Sequence, residues 1–84
     1  MSFDEDSWRA RGKEAYVRDL LDGLPAQVSA DSARHTLVFL FFDELGALSA
    51  EDTDYAIALA IGSYLEAHRE RLAEGDQGTS ARRS

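Results

Sequence analysis

The 84-residue chain contains no cysteine, which removes disulfides, thiolate metal sites and thiol catalysis from consideration. Basic residues are scarce: nine Lys and Arg stand against sixteen Asp and Glu, for a formal charge of −7. Nucleic acid and anionic membrane surfaces both call for basic patches, so neither is expected as a partner. Long apolar runs are missing too. The most apolar stretch, Leu37-Val38-Phe39-Leu40-Phe41-Phe42, has six residues, far short of the roughly 18 needed to cross a bilayer. The opening segment Met1-Ser2-Phe3-Asp4-Glu5-Asp6 is acidic and lacks the basic and apolar regions of a signal peptide. A cytoplasmic location is the expectation. Eight of the nine basic residues are Arg, and with abundant Ala this suggests a GC-rich bacterial or phage genome.

What is present describes one ordinary globular domain, 44% hydrophobic and 30% charged. A chain of this size buries only about 60–65% of its unfolded surface. It therefore has little to spare for wrapping the apolar run at 37–42. Periodicity alone does not decide whether that run is helix or strand. Its flanks do: Ser29-Ala30-Asp31 offers helix-start chemistry, and Asp43-Glu44-Leu45 continues without a turn signal as far as Gly46. The expected helix covers about 30–45, with Gly46 as a left-handed cap. At about 100° per residue its apolar side chains run almost right round. Leu37, Val38, Phe41, Phe42 and Leu45 make the natural core set, while Phe39 and Leu40 fall on the margins of the polar strip formed by Ser32, Thr36 and Asp43.

Before this helix, Val17, Leu20, Leu21 and Leu24 repeat at the spacing of an amphipathic helix over about 13–24, ended by Gly23 and Pro25. Glu14–Arg18 and Arg18–Asp22 are possible i, i+4 pairs on its outer face. Trp8 points almost opposite to the stripe. Either the helix breaks near Gly12 and Trp8 tucks in, or Trp8 stays exposed and available to a partner. After the apolar run, Ser49 with Asp52 starts a long helix over about 50–74, and Gly75 stops it. Ile57, Ile61, Tyr64, Leu65, His68 and Leu72 form its main stripe. Ala56, Ala60, Ser63 and Ala67 form a flank of small side chains where another helix can come close. Tyr55, Leu59 and Gly62 make a third apolar patch. The match between Val28-Ser29-Ala30-Asp31 and Leu48-Ser49-Ala50-Glu51 reflects shared helix-entry chemistry; a solenoid needs at least three repeats. The fold expected is all-α, a three-helix bundle over residues 1–74, four-helix if the N-terminal segment adds a short turn. Residues 75–84, with Arg82-Arg83, read as a disordered tail.

Catalytic signatures are absent. Asp31 and His35 lie one helical turn apart, but two ligands do not make a metal site, and no H-E-x-x-H pattern occurs. Asp43-Glu44 diverge by about 100° on a helix and do not face one substrate. A helix-turn-helix reading of the second and third helices fails because its recognition helix would open Glu51-Asp52-Thr53-Asp54. No enzyme activity, cofactor or metal is expected. The leading expectation is a protein–protein interaction or adaptor module that pairs with itself. Its interface would use Phe39, Leu40, Tyr55, Leu59, Gly62 and Trp8. The alternative is an acidic inhibitor, immunity or antitoxin-type protein. It would present Glu51, Asp52 and Asp54 to a basic enzyme or nucleic-acid-binding protein.

Overall fold

Asp4 starts the first helix: its carboxylate accepts the backbone N–H of Ser7 at 3.1 Å, an N-cap that satisfies one of the unpaired donors of the first turn. The computed structural model describes residues 3–24 and 27–83, with side chains placed as far as residue 73. Its elements are α1 (Glu5–Asp22), α2 (Ala30–Leu40), α3 (Phe42–Gly46) and α4 (Ala50–Arg83). No strand occurs among the described residues, and the all-α fold read from the sequence holds. The additional helix is not an N-terminal turn. It is α3, and the N-terminal segment belongs to α1.

Gly12 does not break α1. The helix runs through it because α4 crosses there: a Cβ built on Gly12 would press into the carbonyl oxygen of Ala60 and sit 2.9 Å from its Cα. Ala15, Ala56 and Ala60 are fully buried beside this crossing, so the small-residue flank of α4 is where α1 docks. The consequence for α1 is a rotated face. Trp8, Gly12, Ala15 and Tyr16 point inward, while Val17 and Leu21, expected in the core, are 51% and 81% exposed. Side-chain size outweighs side-chain hydrophobicity here, since backbones brought close by Gly and Ala gain contact over the whole crossing. Gly23 ends α1 at φ 90°, where glycine carries no Cβ penalty, with its N–H on the Leu20 carbonyl at 3.3 Å. Pro25, expected to help end this helix, lies outside the described residues.

Ser29 and Ser32 cap α2 reciprocally, each hydroxyl accepting the other's backbone N–H, at 2.9 and 3.3 Å. The expected helix over 30–45 is divided at Phe41, whose backbone leaves helical geometry at φ −120°, ψ 31°. Hydrogen bonding survives the division: Phe41 donates to Leu37 and Leu45 donates to Phe41, both at 2.9 Å. The break redistributes the apolar run. Leu37, Phe41 and Leu45 enter the core, and Phe42, expected with them, is 69% exposed. Gly46 is no left-handed cap. It lies within α3, and Gly23 is the one glycine of positive φ among the described residues. Ser49 then caps α4 through the Asp52 N–H at 3.2 Å. The hydroxyl of Thr53 bridges back to the carbonyls of Ser49 and Leu45 at 2.8 and 3.1 Å, tying the start of α4 to α3. The tail expected from Gly75, with Arg82 and Arg83, falls where side chains lie outside the described residues; the α4 assignment itself extends to Arg83.

Candidate functional site: an acidic-edged apolar face

Inside the bundle a small set of polar side chains joins the helices. Asp19 of α1 accepts two hydroxyl bonds on one oxygen, from Thr36 of α2 at 2.8 Å and from the fully buried Tyr64 of α4. One carboxylate thereby fastens three helices. Tyr16 packs edge-on against Tyr64, centroids 5.3 Å apart, and its hydroxyl meets Nδ1 of His68 at 2.8 Å. Among the described residues no buried side-chain N or O lacks a partner, and no cluster of three His, Asp or Glu could hold a metal. Burial, reinforced by the bond to the Asp19 carboxylate, pushes the Tyr64 hydroxyl well above the ordinary phenol value. The neutral form is therefore favoured in the folded state. Its contribution is fully present below about pH 10 and is lost as pH climbs from there toward the raised folded value. Thermal stability is expected to fall above about pH 10 by up to roughly 1.4 kcal/mol per pH unit from this group. Tyr64→Phe should flatten that alkaline limb in a pH series of melting curves; an unchanged slope would assign it elsewhere.

The outer surface divides the sequence-predicted interface. Phe39 is 79% exposed and borders a cleft of about 300 Å³ between α1 and α2, together with Leu40, Arg18, Asp22 and His35. Leu59 and Gly62 line a different groove, between α1 and α4, beside Arg9, Glu66 and Arg69. Tyr55 is on that side as well, its ring tilted against Phe3 with centroids 5.3 Å apart and its hydroxyl donating to the Glu5 carboxylate at 2.7 Å. That hydrogen bond, ahead of desolvation, raises its hydroxyl pKa. The six residues expected to share one interface are thus not brought together. Trp8 leaves the set altogether. It is 6% exposed, edge-on to Phe41 at 6.2 Å and covered by the Arg11 guanidinium 4.5 Å above its ring. The reason is the unbroken α1, which places Trp8 one turn before Gly12 on the inward face.

What sequence reasoning missed is Phe42. With Phe39 it forms an exposed ridge over Val38 and His35. Beyond Phe42 an apolar groove of about 490 Å³ runs between α3 and the start of α4, lined by Val38, Phe42, Leu45, Leu48 and Ile57, with Gly46, Ala50 and Thr53. Asp43 and Glu44, exposed on α3, are the two α3 residues that do not line it. On α4, Asp54 is about 40° round from Ala50, which lines the groove, while Glu51 and Asp52 turn progressively away. The three carboxylates expected as one acidic face therefore spread around the α4 N-terminus. A sequence signal for this site does exist. Between Arg34 and Arg69 there are six carboxylates and no Lys or Arg, and five of the six fall within residues 38–57, the stretch that lines the groove. Among the described residues no helix is long and apolar enough to cross a membrane. No protein-family model matches the chain, and neither a curated protein nor a solved structure is detectably similar to it.

Proposed function

We propose that the protein is a non-enzymatic interaction module that works through the Phe39–Phe42 ridge and the groove beside it. The observation carrying this reading is the exposure of two phenylalanines on successive turns, at 79% and 69%, directly beside an apolar groove. Leaving such side chains in water forgoes up to about 1.5–3 kcal/mol each. Covering them against a partner would recover that free energy, so association is the chemistry this face supports.

A homodimer through this ridge is the second reading, and one feature favours it. A protruding Phe42 beside an apolar groove on the same face is self-complementary, as a two-fold contact requires. Sedimentation of the wild type and of the double variant Phe39→Glu/Phe42→Glu at rising concentration tests both readings. The double variant is expected to stay folded, with its melting temperature within a few degrees of wild type, because neither side chain belongs to the core. A wild type that dimerises and a variant that does not would support the homodimer. A wild type monomeric at hundreds of micromolar removes the homodimer and leaves a different polypeptide as the occupant. Self-association that persists in the double variant would sink the ridge as the interface.

A further inference from the structure

We propose that the groove between α3 and the start of α4 receives a basic amphipathic helix from another protein, its apolar stripe on Phe42, Leu48 and Ile57 and its Lys or Arg beside Asp43 and Asp54. The proposal rests on the reading that this face is an interface, and it names the occupant.

Three features converge on that occupant. The groove floor is apolar, and its walls are helices. Among the described residues there is no strand edge to which an extended peptide could add, so helix-in-groove recognition is the mode that fits. The charge is segregated: residues 35–68, which supply every lining residue, hold six carboxylates and no Lys or Arg. The remainder of the chain is close to neutral, with ten carboxylates against nine Lys and Arg. Five of the six carboxylates, Asp43, Glu44, Glu51, Asp52 and Asp54, sit on α3 and the start of α4, the two helices that build the groove, and charge of one sign beside an apolar surface attracts a ligand of opposite charge and raises its rate of encounter. The same charge opposes a second copy of this chain in that groove, since like would face like. The acidic end of the site is at α3 and α4, so the basic cluster of the bound helix belongs there.

The test uses the full chain, isotopically labelled, and three synthetic peptides. One is an amphipathic helix with Leu at i, i+4 and i+7 flanked by Arg. The second keeps those Leu residues flanked by Glu. The third has the composition of the first with its Leu residues scattered. The Arg-flanked peptide is expected to shift the amide signals of Val38, Phe42, Leu48 and Ile57, and its affinity should fall about tenfold between low and physiological salt. Asp43→Asn with Asp54→Asn should weaken it several-fold without moving the melting temperature. Should that variant unfold, the salt dependence of the wild type still decides the point. Equal binding of the Glu-flanked or the scattered peptide would overturn the proposal, as would shifts centred on Leu59 and Gly62. Absence of shifts at millimolar peptide also overturns it. If the Phe39→Glu/Phe42→Glu change nevertheless abolishes wild-type self-association, the face remains an interface and only its occupant was wrong.

Discussion

Truncating Phe41 to alanine is expected to cost about 3–5 kcal/mol, a large share of what a domain of this size has to lose, since total stability runs at roughly 0.05–0.15 kcal/mol per residue. The ring is buried, holds Trp8 edge-on, and forms the corner between α2 and α3. Alanine would leave a cavity under the indole at the corner between the two helices. The neighbouring truncation Phe42→Ala removes the same atoms from an exposed site and should stay within about 0.5 kcal/mol. Chemical denaturation of the two variants measures the contrast. Equal losses would mean that the break at Phe41 does not separate an inward from an outward ring.

Gly12→Ala is expected to destabilise by about 1 kcal/mol net, against the usual sign for this substitution inside a helix. Alanine normally gains about 0.5–1 kcal/mol over glycine through propensity. At Gly12 the new methyl meets the backbone of Ala60, and backbone cannot rotate aside as a side chain can. The helices must part, loosening the buried crossing at Ala15, Ala56 and Ala60, an overpacking cost of roughly 1–3 kcal/mol. Gly62 provides the internal control. It also lies in a helix but faces open space, so Gly62→Ala should raise the melting temperature by a few degrees. Melting curves that move in the same direction for both would remove the close crossing as a determinant of stability.

These residues also show what the sequence could reveal. Helix class, the entry at Ser49 and the stop at Gly23 were legible because capping chemistry and φ preference are local. The orientation of α1 was not. Val17 and Leu21 make the better hydrophobic stripe, yet the inward face is chosen by the fit of Gly12 and Ala15 against Ala56 and Ala60. That fit depends on residues more than forty positions away. The role of Asp19 was hidden for the same reason, as its two hydroxyl donors come from α2 and α4. In the candidate site, Phe39 could be read as exposed from its helical angle. Phe42 could not, because a single non-helical residue at Phe41 resets the angle of everything after it.

The packing of α1 chiefly against α4 bears on how the chain is made. Two of the bonds that fasten α1 to α4 join residues 45 and 52 positions apart, Tyr64 to Asp19 and Tyr16 to His68. A chain synthesised from its N-terminus presents Trp8, Ala15 and Tyr16 to the cell well before their partners exist. Closing so long a loop forfeits chain entropy before any contact compensates it. The first half of this protein is therefore expected to lack a stable resting state of its own. Ribosome-bound fragments ending before Tyr64 should be open to proteases and to chaperone capture, and both sensitivities should vanish together once α4 has emerged.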